Sequence, residues 1–108
     1  MKTDSDLAAL FAAFAHPSRI AILRALLSKA TTGLSFGQLA QQLAIAPSTL
    51  THHLREMENA GVLIRREVGR TTMLHLDLTA LTRVVADLTA LCCAPGRVAS
   101  DKNQEEVR

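Results

Sequence analysis

Two short helical patterns only three residues apart constrain this chain more than any other feature. "SFGQLAQQL" (35–43) opens on a serine able to cap a helix and carries Leu39 and Leu43 at helical spacing. After "AIA" (44–46), "PSTLTHHLREMENAG" (47–61) begins with proline, repeats Leu50, Leu54 and Met57 along one face, and stops at Gly61. Proline suits the first helical position because the N–H it lacks would have no intrahelical acceptor there, and glycine suits the stop. So short a link makes the two helices pack across one another as a helix-turn-helix.

The period then changes from helical to alternating. "VLIRREV" (62–68) and "TTMLHLDL" (71–78), joined by Gly69-Arg70, predict a β-hairpin. Two helices are expected before the pair. One spans 5–15, capped by Asp4 or Ser5, with Leu7, Leu10, Phe11 and Phe14 on one face. The next starts at Pro17, buries Ile20, Leu23, Leu26 and Leu27, and ends before the "TTG" turn at 31–33. A last helix, capped by Thr79, carries the stripe Leu81, Val84, Val85, Leu88, Leu91 and Cys92 until Pro95-Gly96 closes it. The expected fold is mainly α with a β-hairpin wing: a winged helix-turn-helix in the order α-α-α-α-β-β-α. Residues 1–96 make one domain and 97–108 a flexible polar tail.

With 3% aromatic residues and neither Trp nor Tyr, the core must be built of Leu, Ile, Val and Ala. No apolar run approaches the ~20 residues that span a bilayer, and the N-terminus lacks a signal peptide's apolar centre, so no membrane partner and a cytoplasmic location are expected. The net charge of +2 is modest, yet residues 16–76 hold seven Lys/Arg against three acids. Such a local basic patch is what a DNA-binding surface requires.

In a helix-turn-helix the second helix enters the major groove and its N-terminal side chains meet the bases. With Leu50, Leu54 and Met57 inward, the outward residues are Ser48, Thr49, Thr51, His52 and Arg55. In the hairpin, Arg65, Arg66 and Arg70 surround the glycine turn, as in a wing that grips phosphates or the minor groove. The expected partner is double-stranded DNA. His53 lies nearer the apolar face and reads as a packing residue, and His16 and His75 read as structural; no histidine pair has the spacing of a helix-borne zinc site.

"FAHPSRIAILRAL", "GLSFGQLAQQLAIAPSTLTHHLREMENAGVL" and "RREVGRTTMLHLD" resemble the ArsR/SmtB family of bacterial metal- and stress-responsive repressors, over residues 7 to 93. The resemblance implies a homodimer through the first and last helices, binding to an inverted repeat, and release of DNA when an inducer binds. The family's arsenite site in the third helix, of the kind "ELCVCDL", has no counterpart in "GLSFGQL". Its zinc and nickel sites on the last helix use Asp and His pairs, and here only Asp87 is present. The chain is more similar to arsenic-responsive members with a "GL(x)xGxxA" lead-in to the third helix and a vicinal cysteine pair ending the last helix. In those that respond to inorganic arsenite a third cysteine usually follows; "CCAPGRVASDK" has none.

Cys92 and Cys93 are the chain's only cysteines and the expected ligands of a trivalent arsenical inducer; no resident cofactor is required. Adjacent helical residues point about 100° apart, so chelation needs a loosened helix end, which Ala94 before Pro95 favours. Two thiolates complete the coordination of monomethylated As(III), whereas inorganic arsenite needs a third donor from water or a partner chain. The helix C-terminus disfavours a thiolate, an effect that Arg97 can offset. Other readings stay open: a core cysteine beside an incidental one, a thiol-redox or persulfide switch on the same DNA-binding fold, a small thiol oxidoreductase or metal carrier, or an interaction module that has lost DNA binding. The lack of C-x-x-C and of a βαβ pattern counts against the oxidoreductase, and no enzymatic activity is expected.

Overall fold

The structure, a computed structural model, describes residues 3–93. The expected proline-glycine stop, Arg97 and the tail therefore lie outside the described residues. Helix α1 (Asp4–Ala12) is capped by Thr3, not by Asp4 or Ser5. The Thr3 hydroxyl accepts from the Asp6 N–H, and the Thr3 N–H donates to the Asp6 carboxylate, a reciprocal box that satisfies two otherwise unpartnered donors. The helix stops at Ala12, short of the expected residue 15. His16 must be extended before Pro17 (φ −161°, ψ 134°), and Phe14 and Ala15 reach it through tight turns bonded to the carbonyls of Phe11 and Ala12.

Helix α2 (Pro17–Ser28) has Pro17 at its first position and is capped by His16, whose Nδ1 accepts from the Ser18 N–H. Its buried residues are Ile22, Ala25 and Leu26, whereas Ile20 and Leu23 are half-buried and Leu27 is 48% exposed. The stripe is thus rotated from the expected one. With apolar residues nearly all round, periodicity does not select a face, and the sheet and the third helix claim the side with Ile22 and Leu26.

Gly33 (φ +76°) turns the chain into β1 (Leu34–Ser35). A Cβ at Gly33 would sit 2.6 Å from the His75 ring and 2.7 Å from the Leu74 carbonyl oxygen, so this backbone approach admits only glycine. Strands β2 (Leu63–Val68) and β3 (Thr71–Leu76) form the hairpin, and β1 pairs with β3 to give an antiparallel sheet in the order β1-β3-β2. The hairpin was expected; its third strand, two residues long, is too short to show a period. Opposed pairs Leu63–Leu76, Arg65–Leu74 and Glu67–Thr72 share the inner face, leaving Ile64, Arg66 and Val68 on the outer face.

Helix α3 (Phe36–Leu43) is capped by Ser35 in a second reciprocal box with Gln38. Helix α4 (Pro47–Asn59) buries Leu50, His53, Leu54 and Met57. Gly61 (φ +84°) ends it: the N–H groups of Gly61 and Val62 bond the carbonyls of Glu58 and Met57, a Schellman closure. Helix α5 (Leu78–Cys92) is capped by Asp77, whose carboxylate accepts from Ala80 N–H at 3.1 Å, rather than by Thr79. The chain leaves β3 one residue before Asp77, so the cap falls earlier than the hydroxyl at 79. The fourteen-residue core is wholly aliphatic apart from Met57, and only Val84 of α5 belongs to it.

The turn between α3 and α4 carries one strained residue. Ala44 is left-handed (φ 54°, ψ 42°), and the N–H groups of Ala44 and Ile45 bond back to Gln41 and Ala40. This is a second Schellman closure, with alanine where glycine is usual. A non-glycine residue in that region costs about 1–2 kcal/mol, partly offset by glycine's extra freedom in the unfolded chain. Ala44→Gly should therefore stabilise the fold by about 0.5–1 kcal/mol, read as a rise of several degrees in thermal midpoint.

Candidate nucleic-acid interface and the cysteine pair

The four buried residues of α4 turn its opposite face to solvent. Ser48, Thr49, His52 and Arg55 are exposed, and Arg55 is unpaired among the described residues. No side chain caps the start of α4, and Leu50 makes the first backbone bond into Ala46, so the Ser48 and Thr49 N–H groups are free to meet a phosphate oxygen. Thr51 is half-buried, and its hydroxyl donates to the Pro47 carbonyl at 2.9 Å.

The wing separates its three arginines. Arg65 lies on the inner face and donates to Glu58 Oε1 at 3.2 and 3.3 Å, tying β2 to the last turn of α4. Arg66 projects from the outer face, and Arg70 sits in the exposed turn beside Gly69. Glu67 accepts from the Thr72 hydroxyl across the strands.

Behind α4 lies a contact that sequence reasoning missed. Arg19 of α2 donates through Nε to His53 Nδ1 at 3.0 Å and through Nη1 to the Ala12 carbonyl at 3.1 Å. The signal available was its position, since a cation in the first turn of a helix opposes the helix dipole and needs another partner. The His16 ring lies 4.6 Å from that of His53, and the His52 ring 5.8 Å. Burial pushes the His53 pKa below its ordinary value of 6.5, and the charges of His16, Arg19 and His52 add to the effect. The folded state thus binds fewer protons at His53 than the unfolded chain does. Its contribution to stability is complete above pH 6.5 and is lost as pH falls through the lowered value.

The two cysteines end α5. Cys92 is the last helical residue, and Cys93 leaves helical geometry (φ −114°, ψ 25°) while its N–H still bonds the Thr89 carbonyl. Both thiols are free and exposed. The expected stripe on α5 divides: Val84 is buried and Leu81 half-buried against the core, while Val85 is 63% and Leu91 56% exposed, and Leu88 and Cys92 are exposed too. With Phe11, Phe14, Leu23 and Leu27, the residues Leu81, Val85 and Leu88 line an open apolar groove between α1, α2 and α5. No single described helix is long and apolar enough to cross a membrane.

Two exposed faces, a recognition helix and a basic wing on one compact core, define a winged helix-turn-helix DNA-binding protein. A helix-turn-helix domain family matches residues 14–66. Among solved structures, HlyU from Vibrio cholerae is 30% identical, with 86% of this chain and 99% of that one covered at a TM-score of 0.66. An ArsR-like transcriptional regulator from a Rhodococcus species has a TM-score of 0.72 at 24% identity, covering 81% of this chain and 77% of that one. A structure described as a possible transcriptional regulator for arsenical resistance shares the fold at 23% identity and a TM-score of 0.67, covering 92% of each chain. No curated protein matches the chain in sequence. The chain belongs to the ArsR family of transcriptional regulators, proteins that bind operator DNA and are not enzymes.

The wing geometry separates the roles of its arginines. Arg66→Ala and Arg70→Ala should each lower the slope of log K against log [salt] by about one, the signature of one lost phosphate contact. Arg65→Ala should lower it less, because its guanidinium is already held by Glu58. Anisotropy titrations of a fluorescent duplex at several salt concentrations read all three.

Proposed function

We propose that the protein is a cytoplasmic, homodimeric repressor that leaves its operator when a trivalent arsenical binds Cys92 and Cys93. The observation that carries this reading is the position of the thiols. They are adjacent, free and exposed at the point where α5 loses helical geometry. A regular helix would hold the two side chains about 100° apart, and the relaxed backbone at Cys93 lets them turn toward one soft centre. Two thiolates satisfy a monoalkylated As(III); inorganic arsenite or antimonite needs a third donor. The neighbouring fold described as a possible regulator for arsenical resistance adds a precedent for the chemistry, at the level of fold alone.

Dimerisation is supported by the outward apolar stripe of α5 and the groove it lines with α1. It is supported too by Asp87 Oδ2, which is buried yet has no hydrogen-bond partner among the described residues. On this reading the ligand acts at the end of the dimer helix and shifts the spacing of the two recognition helices. Half-sites about one DNA turn apart tolerate little rotation of the subunits. The DNA contacts are assigned to Ser48, Thr49, Thr51, His52 and Arg55 of α4 and to Arg65, Arg66 and Arg70 of the wing.

The test uses a duplex enriched from a random-sequence library by the reduced full-length protein. Methylarsenite should release it stoichiometrically, at one equivalent per chain, and arsenite and antimonite less completely. Cys92→Ser/Cys93→Ser should bind the same duplex and ignore all three. Release of the double variant by arsenicals would sink the proposal. Release of the unaltered protein by peroxide but by no arsenical would assign the pair to thiol-redox sensing.

A further inference from the structure

Helices α1 and α2 meet the recognition helix on its inner side, and the groups that join the three are two imidazoles and a guanidinium. His16 caps α2 by accepting the Ser18 N–H at Nδ1, and His53 accepts Arg19 Nε at its own Nδ1. Arg19 in turn holds the Ala12 carbonyl at the end of α1. The two Nδ1 acceptors are lone pairs that a neutral imidazole possesses and an imidazolium lacks. His53 is 4% exposed, while the DNA-side residues on the next turn of the same helix are open.

We propose that the His16–Arg19–His53 junction is a proton-sensitive clamp that sets the angle of α4 against α1 and α2, so that acidification weakens DNA binding. Protonation of His53 at Nδ1 removes the acceptor for Arg19 and places a new cation against a guanidinium and two imidazoles. The charged and titratable groups around it are His16 and Arg19 from α2 and His52 and Glu56 from α4 itself, Glu56 lining the same hollow as Arg19; α1 contributes the Ala12 carbonyl. A neutral ring that accepts at Nδ1 carries its hydrogen on Nε2, so the added proton goes to Nδ1 and must loosen the Arg19 contact there. Burial already disfavours the charged ring. The inference rests on α4 being the helix that reads DNA.

The sign of the effect makes it specific. Adding positive charge to a DNA-binding protein ordinarily strengthens binding. The clamp predicts the opposite for His53. His53→Asn separates the two, because the Asn Oδ1 stands where Nδ1 stood and accepts from Arg19 without titrating. Anisotropy titrations on the enriched duplex should run from about pH 8 to about pH 5 at fixed ionic strength. Relative to His53→Asn, the unaltered protein should lose roughly five- to tenfold in affinity over that range, the value of one lost hydrogen bond. Equal pH dependence of the two proteins, or tighter binding by the unaltered one on acidification, would overturn the clamp. A second measurement needs neither variant nor DNA. In NMR titrations of the full chain, the backbone amides of residues 49–55 should shift with the midpoint of the His53 ring, and amides that stay fixed while His53 titrates would also overturn it. Failure to enrich any duplex at about pH 8 would instead remove the DNA-reading role of α4, a result the amide titration does not share.

Discussion

The burial of one face of α4 is the constraint on which the rest of the molecule depends. Leu50, Leu54 and Met57 are fully buried in one core with Ile22, Leu26, Leu39 and Leu74, so α2, α3 and the sheet share that core with this helix. Each such side chain contributes about 1.5–3 kcal/mol on leaving water. A helix fixed by that stripe has no freedom to rotate, and its outward residues follow by geometry. Ser48, Thr49, His52 and Arg55 point to solvent because their neighbours cannot.

Both ends of α4 reinforce that registration without using its outer face. Pro47 and an uncapped first turn leave N–H groups open at the start, while the closure through Gly61 and Val62 seals the other end. The Arg65–Glu58 pair then attaches the wing to the sealed end. An exposed pair of this kind contributes less than about 1 kcal/mol to stability. Its consequence is orientation: it takes one arginine out of the free set and leaves Arg66 and Arg70 as the wing's open cations.

The parts of the fold legible in the sequence are those whose pattern has a single physical solution. Pro47 with Leu50, Leu54, Met57 and Gly61 admits one helix with one buried face, and Gly69 between two alternating runs admits a hairpin. The face of α2 was illegible because Ile20, Ile22, Leu23, Leu26 and Leu27 surround the helix, and only the position of the sheet decides among them. Caps fell one or two residues from expectation at Thr3 and Asp77, since several polar residues compete there and the outcome depends on where the preceding segment ends. The Arg19–His53 contact joins residues 34 apart in sequence, and no local period reports it. In the candidate site the exposed face of α4 was legible for the same reason as its core. The separation of Arg65 from Arg66 and Arg70 needed the strand register.

Helix α5 shows what a single chain leaves unfinished. Of its fifteen residues only Val84 is buried, and helices of about this length are marginal in water without a packed face. Leu78, Val85, Leu88 and Leu91 form a stripe that nothing in the described chain covers, and Cys92 continues it by one turn. Covering the stripe with a second copy would bring the thiol end of α5 beside the partner's helices. A ligand that tightened or splayed the last turn at Cys92 and Cys93 would then act on the contact between subunits rather than on either recognition helix. The DNA-reading surface and the thiol pair share no side chain, so on the proposed reading the ligand's effect on DNA is assigned to the relative placement of two such chains.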